Sequence, residues 1–366
     1  MKIVHVSYNN QPGFKHREKW LEKISIFSAL MEALSSHCQS AYVKYTGSDE
    51  QFMLNGVEYR FIKTDIHRSL FPLRMNRTIR KIKPDIVIIA GLRYPLQIIQ
   101  LRLTCGNKVK LIGRHHADKP PTGFRKILQR WADRCLNAYF FTSLGNANEW
   151  IDAGIIKHKN KIHEINAAST NFSRLNKQQS RERTGMSDCR NFLWVGRLDT
   201  NKDPITVLKG FEQYLIADPG AQLHMIYQEE TLLQDLTKRI SKSSSLKNAV
   251  KLIGFVPYQQ LQDWYSAADY FISGSHSEGG SFALLEAMAC GCIPIVSNIP
   301  AAIKMIDEGR FGIIFKTGDE KDLAEKLLAL PTETFSSSLE IYFQNELSNK
   351  ALAEKIFRQC EILMAK

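Results

Sequence analysis

The chain has 366 residues, 44% hydrophobic and 23% charged, and carries a net charge of +12. These proportions exclude a disordered or collagen-like polymer, and the length holds two cored domains. No apolar run approaches the roughly 20 residues of a membrane-spanning helix, and Met1-Lys2-Ile3-Val4-His5-Val6-Ser7 lacks the length and cleavage site of a secretory leader, so a cytoplasmic protein is expected.

In chain order, short apolar segments at 2–7, 40–45, 85–90, 109–113 and 138–142 read as strands, with helical periods such as 17–36 and 124–136 between them. The alternation resumes with strands at 192–195, 222–227, 250–253, 269–273 and 293–296, and helices at 204–217 and 230–241. Alternating β and α segments argue for parallel sheets with crossover helices. A basic cluster, Arg68, Arg74, Arg77, Arg80, Lys81 and Lys83, has a helical spacing that turns Ile79 and Ile82 inward. Lys83-Pro84-Asp85 then stops the helix before a buried strand. A polar stretch at 167–190 marks the break between two halves. A last amphipathic helix is expected over about 346–364, with Leu347, Leu352, Ile356 and Ile362 on its apolar face.

Charge divides unevenly. Residues 1–170 hold 27 Lys and Arg against 13 Asp and Glu, whereas residues 171–366 hold 22 against 24. A basic first half is a field for an acidic partner such as an anionic membrane surface; nothing resembles a nucleic-acid-binding motif. The seven cysteines are scattered, and Cys290 and Cys292 suit core filling better than metal binding. No Asp-x-Asp element or His/Cys/Asp spacing indicates a metal.

The most informative stretch is Ser277 to Pro294, S-E-G-G-S-F-A-L-L-E-A-M-A-C-G-C-I-P. Glu278 and Glu286 flank a glycine pair and the start of an apolar helix. Gly279 and Gly280 are expected to take backbone angles closed to other residues and to let a ligand approach. The amides of Ser281, Phe282 and Ala283 would then form an anion site at a helix N-terminus. Gly291 is the expected helix stop, followed by a strand from Ile293.

This run resembles the donor-site signature of the retaining glycosyltransferases with the GT-B fold (family 4, or group 1). Three further segments carry the likeness. Val195-Gly196-Arg197-Leu198 with Lys202 resembles the element that clamps the donor diphosphate. Leu111-Ile112-Gly113-Arg114-His115-His116-Ala117-Asp118 resembles the strand end whose histidine contacts the donor sugar; register favours His116 over His115, and Asp118 could orient either. Leu252-Ile253-Gly254-Phe255-Val256 resembles the segment that meets the nucleobase. The family often has two glycines after the first strand, where Asn9-Asn10-Gln11-Pro12-Gly13 offers only Gly13. Two more departures are Tyr227-Gln228-Glu229-Glu230 in place of a glycine-rich turn, and Asn166-Ala167-Ala168-Ser169 in place of Asn-Gly-Val-Asp.

The resemblance implies an α/β fold of two Rossmann-like domains facing across a cleft. Residues 1–170 would form the acceptor-side domain and 171–345 the nucleotide-sugar domain, with 346–366 a helix returning to the first domain. It implies transfer of a sugar from a nucleotide-diphosphate-sugar co-substrate to an acceptor hydroxyl with retention, without metal or other cofactor. Glu278 would hold the sugar hydroxyls, Glu286 the ribose, and Arg197, Lys202 and the 281–283 amides the diphosphate. The acceptor would be a saccharide or lipid-linked intermediate of cell-surface polysaccharide, lipopolysaccharide or glycolipid synthesis, met at the inner membrane face. A nucleotide-sugar epimerase or phosphorylase of the same fold, and a non-catalytic glycan- or lipid-binding partner, are the alternatives.

Overall fold

A computed structural model describes residues 1–10, 20–21, 25–63, 70–116, 118–166, 168–330 and 336–365. Gly13, Arg68 and Ala167 lie outside the described residues. The chain divides into two compact units, Met1–Asn171 with Asn349–Lys366, and Phe172–Ser348.

The first unit is built on an eight-stranded sheet in the order β3-β4-β2-β1-β5-β6-β7-β8. The strands are β1 (Lys2–Ser7), β2 (Gln39–Thr46), β3 (Glu50–Leu54), β4 (Val57–Lys63), β5 (Ile86–Ala90), β6 (Lys110–Arg114), β7 (Ala138–Phe141) and β8 (Ile162–Glu164). All pairings are parallel except β3 with β4. The β5 run Ile-Val-Ile-Ile has no polar face because both faces are covered. Ile86 and Ile88 enter one core, and Val87 and Ile89 the other. The β3–β4 hairpin and the short β8 are absent from the expected elements. The hairpin turns at Asn55-Gly56, both with positive φ, which is the dipeptide that a tight hairpin requires.

The helix Asn349–Met364 belongs to this unit, buried along Leu352, Ala353, Ile356, Cys360 and Leu363 against Ile3, Leu30 and Leu34. The expected face needs correcting at both ends. Leu347 lies in a core of the second unit, in the turn before the helix, and Ile362 is exposed. Cys360 and Leu363, at the i+4 and i+7 positions from Ile356, continue the buried seam instead. The helix Leu73–Ile82 does turn Ile79 and Ile82 inward, and Lys83 in a left-handed conformation ends it.

The second unit has six strands in the order β11-β10-β9-β12-β13-β14. They are β9 (Asn191–Val195), β10 (Gln222–Ile226), β11 (Val250–Gly254), β12 (Tyr270–Ser273), β13 (Ile293–Ser297) and β14 (Ile313–Phe315), all in parallel pairs. Ligands of such sheets bind beyond the strand C-termini, where the order reverses. Here β9 lies between β10 and β12, so its C-terminal loop and that of β12 are neighbours at the reversal. Cys290 and Cys292 are buried in this unit and carry no disulfide.

Candidate functional site

The loop after β9 (196–203) and the loop after β12 (274–281) are bound to each other along their length. His276 N–H donates to the Asn201 carbonyl at 2.8 Å, and Asn201 Nδ2 to the Ser277 carbonyl at 3.2 Å. The approach is close because Gly274 has no side chain: a Cβ there would sit 3.0 Å from the Asp203 carbonyl oxygen and 3.2 Å from Val207. Asp203 adopts a left-handed φ of 43° and caps the helix Pro204–Tyr214, accepting from Thr206 N–H at 3.1 Å and Thr206 Oγ1 at 2.7 Å. Its carboxylate also lies 2.9 Å from His276 Nε2. A non-glycine residue held at positive φ costs on the order of 1 kcal/mol, and these bonds over-determine it.

Lys202 and Glu278 meet at the centre of this seam. The ammonium pairs directly with Glu278 Oε1, and both side chains are largely buried. Glu278 also accepts from Ser275 Oγ at 2.9 Å, while Ser275 is fixed through its carbonyl by Ser297 Oγ at 2.5 Å. Lys202 N–H donates to Asp199 Oδ1 at 2.9 Å. Arg197 lies on the same loop, with its guanidinium 3.0 Å from Asp199 Oδ2 and half its side chain in solvent. The altered turn after β10 supports this loop through its backbone: Leu198 N–H donates to the Glu229 carbonyl at 3.0 Å.

The helix Phe282–Ala289 forms because its residues are mostly strong helix formers and Ser281 caps it, accepting from Leu284 N–H at 3.4 Å. Phe282 is exposed and Ala283 half-buried at its first turn. Gly291, at φ 74°, follows the last turn as expected. The glycine pair is different: the positive φ values of this region fall at Gly254 and Gly291, not at Gly279 or Gly280. The pair is therefore outside the left-handed region, and Ser281, which follows it, is extended.

Glu286 lies inside the helix and is buried, accepting from Tyr265 Oη at 3.0 Å. Burial pushes its carboxyl up to about 7, against hydrogen bonds from Tyr265 and Tyr258 that act the other way. Val256 is buried in the core beside this helix, just beyond the turn at Gly254.

In the first unit the two histidines after β6 differ in exposure. His115 is buried, stacked on Phe141 at 4.8 Å, with Nε2 3.0 Å from the Asp118 carbonyl oxygen. Burial lowers its pKa, holding it neutral. His116 is exposed. The Asp118 carboxylate orients neither imidazole, contrary to expectation. It accepts from Leu92 N–H at 2.7 Å and Arg93 Nε at 2.8 Å, because residue 118 turns back over the end of β5.

Sequence reasoning missed His276, Asp203, Ser275 and Tyr265. Asp203-Pro204 before an apolar helix is an N-cap signal that would have found Asp203. Tyr265 reaches Glu286 only through the packing of two helices, which no spacing encodes.

Residues 176–339 match the family described as glycosyl transferases, group 1. The chain is 32% identical over 154 residues to a mannosylfructose-phosphate synthase of Agrobacterium fabrum, covering 40% of this chain and 34% of that protein. It is also 32% identical over 142 residues to a GDP-mannose:cellobiosyl-diphosphopolyprenol alpha-mannosyltransferase of Xanthomonas campestris, covering 38% of this chain and 37% of the relative. The matched stretch thus spans little more than a third of either relative's length. Over the whole chain the fold matches a sucrose-phosphate synthase from Thermosynechococcus elongatus, with TM-score 0.72 at 15% identity and 99% of that chain covered. An Anabaena protein, HepE, solved with UDP and glucose matches at TM-score 0.72 and 14% identity, with 99% of this chain and all of the other covered. At such identities these are likenesses of fold, and the fold is GT-B.

Proposed function

We propose that the chain, whose residues 176–339 match the group 1 glycosyl transferases, moves a sugar from a nucleotide-diphosphate-sugar to an acceptor hydroxyl with retention of configuration. The observation that carries this reading is the Lys202–Glu278 pair, held between two strapped loops at the sheet's reversal point. A bound diphosphate would draw Lys202 and Arg197 onto its oxygens. The charge left on the departing diphosphate grows in the transition state, so fixed cations there lower the barrier and no divalent ion is required. Freed from Lys202, Glu278 accepts from the sugar hydroxyls. Glu286 lies at the ribose, and the first turn after Ser281 offers its amides to phosphate. His116, at the end of β6, is the first unit's proposed contact to the donor sugar.

The acceptor is proposed to be a saccharide or lipid-linked intermediate of cell-surface polysaccharide or glycolipid assembly. The excess of Lys and Arg in residues 1–170 supports work at an anionic membrane face. Among the described residues no helix is long and apolar enough to cross a membrane.

The test is turnover of UDP- and GDP-sugars, with the product's anomeric configuration read by NMR. Lys202→Ala and Glu278→Gln should each lower kcat/KM by about 10²–10³-fold, the scale of removing one preorganised charge partner. Donor cleavage that both variants leave intact would refute the assignment, and an epimerised donor as the sole product would move the chain to the alternative reading.

A further inference from the structure

The first unit contains a cavity of about 840 Å³ whose wall includes the start of the helix Pro95–Cys105, the segment Asp118–Pro121 and the helix Gly123–Cys135. That is the volume of a site for a small molecule rather than a packing defect. Its lining is unusual in two ways.

The first is its charge. Among the described residues, Arg93, Lys119 and Arg125 line the cavity against one carboxylate, Asp118. Asp118 is buried and already engaged by Leu92 N–H and Arg93, whereas Lys119 and Arg125 are exposed. Two exposed cations at the mouth of an apolar-walled cavity favour an anion, and a guanidinium matches phosphate oxygens in its planar fork.

The second is unmet hydrogen bonding. Gln129 is buried, and among the described residues neither its amide oxygen nor its amide nitrogen has a partner; Trp150 Nε1 is likewise unpartnered among them. Both residues line the cavity. A buried primary amide with neither donor nor acceptor satisfied is costly in a folded protein. Such an amide finds its partners in a bound ligand or in ordered water. A group that both donates and accepts, such as a sugar hydroxyl, answers Gln129, and a second oxygen answers the indole. Tyr8 and Tyr94, whose ring centroids lie 6.0 Å apart, add aromatic wall for the apolar faces of a sugar ring.

We propose that this cavity binds a phosphate-bearing saccharide, with Lys119 and Arg125 on the phosphate and Gln129 and Trp150 on the sugar. The proposal rests on the glycosyltransferase reading only in making this ligand the acceptor; the binding site stands on its own geometry. Phosphate on a saccharide has two sources, a free sugar phosphate or a lipid-linked sugar diphosphate.

The full chain is titrated by calorimetry with glucose 6-phosphate and with glucose joined through a diphosphate to a short polyprenyl chain, against glucose and inorganic phosphate alone. One or both phosphorylated probes should bind at least tenfold more tightly than glucose, and the tighter of the two identifies the source. Lys119→Ala with Arg125→Ala should remove that advantage. Gln129→Leu should weaken both probes about tenfold while leaving the melting temperature of the free protein unchanged or higher, since it removes unpartnered polar atoms. A purely structural Gln129 would instead give a lower melting temperature and unaltered binding. No binding of either phosphorylated probe at millimolar concentration, or affinities that the variants leave unchanged, overturns the proposal. UDP and GDP are titrated in parallel: loss of sugar-phosphate binding with nucleotide binding intact sinks this site alone, and the converse sinks the donor reading alone.

Discussion

At the scale of single residues, Glu286 makes the clearest prediction. Its carboxyl sits at about 7 against an ordinary 4.5, because burial disfavours the charge more than two tyrosine hydroxyls favour it. Between these values the folded protein holds a proton that the unfolded chain releases. The stability this contributes is therefore complete below about pH 4.5 and lost as pH rises through about 7, a change on the order of 3 kcal/mol. Urea unfolding of the wild type should show that decline between pH 5 and 7.5, and Glu286→Gln should lack it; the same decline in both proteins would assign it to other groups. Glu286 was visible in the sequence as a helix acid within a recognisable run. Its raised pKa was not visible, because burial and the Tyr265 contact belong to packing. The pairing of Lys202 with Glu278 was likewise hidden, since 76 residues separate them.

At the scale of elements, the seam between the loops after β9 and β12 depends on Gly274. Gly274→Ala would force a Cβ to 3.0 Å from the Asp203 carbonyl oxygen. Backbone cannot yield there as a flexible side chain would, so the variant should lose about 1–3 kcal/mol of stability. It should also weaken nucleoside diphosphate binding by displacing Lys202, as measured by thermal shift with and without UDP or GDP. Wild-type melting and wild-type ligand shifts together would show that the loops do not need the close approach. In the first unit, the helix Gly123–Cys135 turns Phe124, Ile127 and Trp131 outward, at 72%, 46% and 53% exposure, beside Arg125, Arg130 and Arg134. Apolar residues on a basic outer face suit an anionic bilayer surface. Replacing Phe124, Ile127 and Trp131 by Ser should cut recovery on anionic liposomes in flotation at least tenfold, and wild-type recovery that is equal on neutral liposomes would refute the electrostatic part. The basic surplus was legible from composition. The outward stripe was not, because the same spacing serves equally well for a buried face.

At the scale of the whole molecule, the chain's last helix completes the first unit rather than the second. Deleting 349–366 would strip Leu352, Ile356, Cys360 and Leu363 from the core around Ile3, Leu30 and Leu34, at about 1.5–3 kcal/mol for each large apolar side chain. That loss is comparable to the whole stability of a marginally stable domain. Limited proteolysis of the truncated chain should digest residues 1–171 and leave a resistant fragment over 172–348 that still binds UDP or GDP; equal resistance of both halves would sink the prediction. The alternation of strand and helix and the inward face of Leu73–Ile82 could be read from local periodicity and spacing, which act over a turn or a strand, and the glycosyltransferase resemblance over 192–296 from residue identities that match a known signature. Which histidine after β6 is buried, where the Asp118 carboxylate points, how the glycine pair bends, and that Gln129 and Trp150 meet around one cavity were decided only by tertiary structure. Each of these depends on which distant side chain fills the neighbouring space, and in a close-packed interior that is settled by the whole set of contacts at once.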